Sequence, residues 1–155
     1  MRNGSASIPR SAKTLFQRWG LHPVANPQEL VGRHGRYLLL LRVPARRIRI
    51  GALGSISFVA GLYGYVGSAG GKSALGYRLT RHMRRRKVCR WHIDYLTTAP
   101  AVTVLGAYWT ADRTMTETRL ANLCAERFSV ICRFGNSDSR GGAPGHLFFI
   151  TPERG

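Results

Sequence analysis

Tyr37 to Val43 reads Tyr-Leu-Leu-Leu-Leu-Arg-Val and is bounded by Gly35 and Pro44. A run this apolar has no polar face to offer water, so it predicts a buried strand whose neighbours must cover it. Ile48 and Ile50 flank Arg49 in a short alternating piece. Gly51 and Gly54 then punctuate a turn toward Ile56 and Phe58, a hairpin pattern. Gly61 to Val66 predicts another strand, closed by the loop Gly67-Ser68-Ala69-Gly70-Gly71. Trp91 to Leu96 alternates, with Trp91, Ile93 and Tyr95 on one face and His92 and Asp94 on the other, which predicts a strand. Ala101 to Trp109 and His146 to Ile150 complete the strand set, and helices are expected from about Ala74 to Lys87 and from Thr114 to Phe128.

Strands with two interspersed helices and hairpin-length connections predict a small α/β (α+β) domain, with a mixed, mainly antiparallel sheet flanked by helices. A chain of 155 residues is one domain by size. The folded unit is expected over residues 35–150, after a basic, partly flexible N-terminal arm (1–34) and before a short tail (151–155). The arm lacks the apolar core of a signal peptide; it is a transit peptide or a flexible extension, with Trp19 and Leu30 packing part of it on the domain.

Charge sets the class of partner. Residues 30–93 hold 14 Lys or Arg and not one Asp or Glu, and the net charge is +17. Such a surface attracts nucleic acid, whose phosphates release counterions when cations neutralise them. A hydrophobic content of 44% with three Trp excludes a disordered basic tail. The longest aliphatic run, Leu38 to Leu41, is far too short to cross a bilayer, so a soluble protein is expected. Nucleic acid with no membrane partner is the preferred reading of the charge, and a solvated basic surface or an anionic-membrane binder is the alternative. Cys89, Cys124 and Cys132 are odd in number and lack metal-ligand spacing. Free thiols in a reducing, cytoplasmic setting fit better than a disulfide framework or a zinc knuckle.

Helical phase places the charges. Leu75, Leu79 and Met83 form an apolar stripe on the first helix, and Arg78, Arg81, His82 and Arg85 a neighbouring one. Arg78 and His82 border the apolar stripe and should reach toward the sheet. Arg84, Arg86, Lys87 and Arg90 cluster at the helix end, where cations also complement the macrodipole. Lys72, Arg81, Arg85, Arg86 and Lys87 are the candidate nucleic-acid contacts.

Only seven carboxylates oppose these cations. On the second helix, Ala121, Cys124 and Phe128 fall within about 40° of Glu117, whereas Glu126 lies about 180° away. Glu117 therefore points inward, either as a metal ligand or as the glutamate at the third helical position of a Thr114-x-x-Glu117 capping box, bonding the Thr114 amide. Glu29 lies in the arm and Glu153 in the tail. Asp112 can cap a helix, Asp94 can pair with arginines or orient His92, and Asp138 sits in a turn as the second functional choice. Gly71-Lys72-Ser73 resembles a P-loop, but Val66 stands where its leading glycine should be. Ser68, His82 and Asp94 make a hydrolase triad only on paper, since no nucleophile elbow supports them.

Gly35-Arg36-Tyr37, Tyr65-Val66-Gly67, Arg78-Leu79-x-x-His82 and Glu117 follow, in order, the motifs of the GIY-YIG nuclease superfamily. The strings Gly61-Leu62-Tyr63-Gly64-Tyr65-Val66-Gly67-Ser68-Ala69, Trp91-His92-Ile93-Asp94-Tyr95-Leu96 and His146-Leu147-Phe148 resemble its Uri-type branch. The resemblance covers about residues 35–150. It departs in the added hairpin-like segment Pro44 to Phe58, and around Asp138, where Ser139 and a Gly-Gly-Ala-Pro stretch replace the cysteines of that branch.

The resemblance implies a three-stranded sheet elaborated with extra strands, and a DNA endonuclease using one Mg2+ (or Mn2+). Tyr37 and Tyr65 would lie side by side, with Tyr37 as general base or water-orienting group and Tyr63 as its competitor. Arg78 would stabilise the transition state, His82 would bond a phosphate or a tyrosine, and Glu117 would hold the metal. A tyrosine near its usual pKa of about 10 is a poor base, so cationic neighbours are expected to lower it. The alternative is a non-catalytic DNA- or RNA-binding module on the same fold.

Overall fold

The computed structural model describes residues 8–70, 74–135 and 142–152. Lys72, Asp138 and Glu153, and with them the P-loop-like Gly71-Lys72-Ser73, lie outside the described residues.

The apolar run forms β2 (Gly35–Val43), buried along nearly its whole length. Its neighbours are β5 (Gly61–Ala69) and β6 (Thr103–Thr110), both antiparallel to it. With β1 (His22–Pro23), β7 (Ser129–Ile131) and β8 (Leu147–Pro152), they make a six-stranded sheet in the order β1-β6-β2-β5-β8-β7. Every pairing among the described residues is antiparallel. The expected added segment is a separate hairpin of β3 (Arg46–Arg49) and β4 (Ser55–Phe58).

Both faces of β2 are covered, which is why its sequence does not alternate. One face presents Tyr37, Leu39, Leu41 and Val43 to the hairpin, to α2 (Leu75–Met83) through Leu75 and Leu79, and to α3 (His92–Thr97) through Ile93 and Leu96. The other presents Leu38 and Leu40 to α1 (Arg10–Arg18) through Ala12 and Phe16, and to α4 (Glu117–Arg127) through Leu120, Ala121 and Cys124. The sheet is thus the middle layer of three.

Three expectations change. Trp91 to Leu96 is the helix α3 with its N-cap, not a strand: Asp94 accepts the Trp91 and Arg90 amides (3.0 and 2.9 Å) and so closes its first turn. Met83 does not share the apolar stripe of α2; it is exposed, and His82 is buried in its stead. The N-terminal segment packs on the domain through Trp19 and Leu30, as expected, but more of it is engaged than those two residues. Phe16 is fully buried against Tyr108, β1 extends the sheet, and the 3-10 turn Pro27–Leu30 packs on α2. A Cβ at Gly76 would stand 2.5 Å from the Pro27 carbonyl oxygen, so only glycine permits this approach. That turn buttresses the helix carrying Arg78 and His82.

Candidate active site

The site forms where β2 begins and β5 ends. Tyr37 pairs across the ladder with Gly67, and Tyr65 with Leu39, so the two tyrosines share a face on adjacent strands. The Tyr37 ring lies over Gly67, where a Cβ would come within 2.4 Å of its hydroxyl. The Tyr-Val-Gly glycine is therefore needed to seat the other motif's tyrosine.

Two side chains from α2 descend on this pair. His82 is 1% exposed, and its Nε2 lies 2.7 Å from the Tyr37 hydroxyl. Burial drives its pKa down to about 3, so the ring is neutral at physiological pH. Its Nδ1 is buried with no hydrogen-bond partner among the described residues. Arg78, one turn earlier, donates to the Ser68 carbonyl at 2.5 Å and lies 4.9 Å from the Trp91 ring.

Ser68 joins the two faces of the sheet. Its carbonyl holds Arg78, and its hydroxyl donates to Glu117 Oε2 at 3.2 Å. The other carboxylate oxygen, Oε1, faces His146 Nδ1 at 3.6 Å. His146 holds the Glu117 carboxyl below its ordinary value, against burial and with help from Ser68 and Arg78. Glu117 is therefore ionised at neutral pH, with its side chain 37% exposed.

The capping-box reading of Glu117 fails. The N-cap of α4 is Thr116, whose hydroxyl accepts the Arg119 amide at 3.1 Å, so Glu117 is the first helical residue and not the third. Its carboxylate is free to turn to Ser68 and His146. Glu126 is exposed, as its helical phase predicts. Asp112 bonds Thr114 instead of a helix N-terminus.

The expected lowering of the tyrosine pKa also fails. Burial raises Tyr37 well above the ordinary phenol value and outweighs Arg78, which pulls the other way. Tyr65 is likewise raised by burial. Tyr63 donates to the Val59 carbonyl at 2.9 Å and packs on Phe58 and Phe149. Burial pushes it up to about 12. Tyr37, not Tyr63, is the tyrosine beside His82 and Arg78.

The candidate phosphate contacts divide. Arg81 is committed: it grips the fully buried Asp94 through two bonds of 2.6 and 2.9 Å and donates to Val88. Lys87 closes the end of α2 by donating to the carbonyls of Arg81 and His82, and burial lowers it to about 8. Arg85 donates to Val102 yet stays exposed, as do Arg84, Arg86 and Arg90. The paper triad is not assembled, because Ser68, His82 and Asp94 bond Glu117, Tyr37 and Arg81 respectively. His92 accepts the Gly135 amide instead of meeting Asp94.

Asp94 is structural in consequence. Burial pushes its carboxyl up, but Arg81 and the Trp91 and Arg90 amides together hold it below the usual range. Its contribution is therefore present above the unfolded carboxyl value and lost as pH falls through the lower, folded one. Asp94→Ala should cost about 3 kcal/mol at pH 7, because it strands the Arg81 guanidinium and uncaps α3. Urea midpoints should show the gap to wild type closing as pH drops below about 4.

Ser68 and His146 were not among the residues expected to form the site. Their signal lay in the strings around them: Ser68 directly follows Tyr65-Val66-Gly67, and His146 opens His146-Leu147-Phe148.

The family model described as "Domain of unknown function DUF123" matches residues 36–154, and the chain belongs to that family. No curated protein and no solved structure matches the chain. No helix among the described residues is long and apolar enough to cross a membrane.

Proposed function

We propose that this DUF123 chain is a metal-dependent DNA endonuclease of the GIY-YIG type, in its Uri-like branch, with Glu117 holding one divalent cation (Mg2+ or Mn2+). One observation carries the reading: Ser68 ties Arg78 and Glu117 together at the rim of a tyrosine–histidine pair. A guanidinium, an ionised carboxylate and a phenol at one place suit a phosphodiester better than any neutral substrate. The exposed arginines around the end of α2 would bind the flanking backbone and make affinity salt-dependent.

The donor set fits a hard cation. Glu117 is ionised and partly exposed, with Ser68 on its Oε2 and His146 facing its Oε1. Bound there, the cation would neutralise charge growing on the leaving 3′-oxygen. Arg78 would grip a non-bridging phosphate oxygen, its fork already aimed by Ser68 and the Trp91 ring. Tyr37 would act as a neutral phenol, donating to His82 Nε2 and orienting the attacking water with its oxygen. A phenol raised by burial is suited to that role and ill suited to proton abstraction on its own.

The test is incubation of the purified chain with supercoiled and branched DNA, with and without Mg2+ or Mn2+. Metal-dependent nicking that stops with chelator is expected. Tight, salt-sensitive binding without cutting on any substrate would instead favour a non-catalytic DNA- or RNA-binding module.

A further inference from the structure

We propose that His146 and Glu117 together form a two-point site for a divalent transition-metal cation, binding Mn2+ in preference to Mg2+. The inference rests on the reading of Glu117 as the carboxylate that holds the metal, and adds a nitrogen ligand that changes which metal the site takes.

Distance is the first observation. His146 Nδ1 and Glu117 Oε1 stand 3.6 Å apart, within ion-pair range but longer than a well-formed hydrogen bond. Two donors each about 2.1 Å from a common ion lie about 3.0 Å apart at a right angle and about 3.4 Å apart at the tetrahedral angle. The pair therefore needs only a few tenths of an ångström of closure, on the order of a small side-chain adjustment, to share an ion.

Both donors are aimed by their surroundings. The His146 amide donates to Phe134 O and its carbonyl accepts the Val66 amide, so its backbone is fixed between β5 and the turn before β8. Gly145 allows that path, since a Cβ there would stand 2.3 Å from the Ile131 carbonyl. Ser68 occupies Glu117 Oε2, which leaves Oε1 to face the imidazole. The His146 side chain is 11% exposed and that of Glu117 37%, so the pair is anchored on one side and open on the other.

Chemistry then selects the ion. Mg2+ favours an all-oxygen octahedron and gains little from a nitrogen donor. An imidazole beside a carboxylate instead raises affinity for first-row transition metals, Mn2+ the weakest of them and the one that also accepts oxygen ligands. No group of three or more His, Cys, Asp or Glu among the described residues gathers to close a cage. Water and phosphate oxygens would fill the remaining positions, as in a site built for chemistry rather than for structure.

Mn2+ binding to the full chain, read from loss of the free-ion electron paramagnetic resonance signal without DNA, tests the proposal. Wild type should bind one Mn2+, with Mg2+ displacing it only in large excess. His146→Gln and His146→Asn should each weaken binding at least about tenfold while circular dichroism stays that of wild type. Unchanged Mn2+ affinity in either folded variant, or displacement by equimolar Mg2+, would overturn it. Failure of the wild type to take up Mn2+ while cutting DNA with Mg2+ would sink this site and leave the nuclease standing. Binding as predicted with no cutting would do the reverse.

Discussion

Glu117→Ala should lower the single-turnover cutting rate by about a thousandfold or more, because the charge that anchors the cation is gone. DNA affinity should hold or rise, since a carboxylate is removed from a strongly cationic surface. Folding should be little affected. Thr116 still caps α4, the apolar contacts of Leu120, Ala121 and Cys124 remain, and among the described residues the Ser68 and His146 contacts are the ones lost. Thermal melting, filter binding and single-turnover nicking measured on one preparation separate these effects. A large loss of rate with intact binding and melting assigns Glu117 to the chemistry rather than to the fold.

Arg78→Ala comes second, with an expected loss of about a hundred- to a thousandfold in rate. Arg78 is only partly buried; among the described residues it donates to the Ser68 carbonyl, lies near the Trp91 ring and neighbours the Tyr37 hydroxyl, so its removal takes no apolar packing from the core. Its value lies in being already oriented toward the carboxylate side of the site. Arg78→Lys should recover little of the loss, because an ammonium cannot present two parallel donors or lie flat on Trp91. Recovery to near the wild-type rate by lysine would mean that positive charge alone matters at this position.

The parts of this architecture set by local pattern were readable in the chain. The run Tyr37 to Val43, apolar except for Arg42, marked β2 because a strand covered on both faces has no reason to alternate. Helical phase turned Glu117 inward because α4 is eleven residues long, enough for its period to show. Arg78 and His82 were expected to reach the sheet from α2, and they do, to Ser68 and Tyr37.

What escaped depended on long-range partners. α3 has only six residues, too few to separate a period of 3.6 from one of 2, and its stabilising pair with Arg81 spans 13 positions. Thr114 and Thr116 offer the same hydroxyl chemistry, so the cap of α4 could not be placed by residue type. The tyrosine pKa was misjudged in sign because nearby cations are visible in a sequence and burial is not. For the same reason Arg81 and Lys87 looked available to phosphate, though the fold engages both. His146 lies 29 residues from Glu117, and the string that it opens does not say which residue it meets.

Cleavage in 18O-labelled water tests the central claim most directly. Water attack with departure of the 3′-oxygen predicts one 18O atom in each new 5′-phosphate, a free 3′-hydroxyl at the opposing end, and no reaction in chelator. A 3′-phosphate terminus, unlabelled 5′-phosphates, or bound DNA left uncut in both Mg2+ and Mn2+ would contradict it.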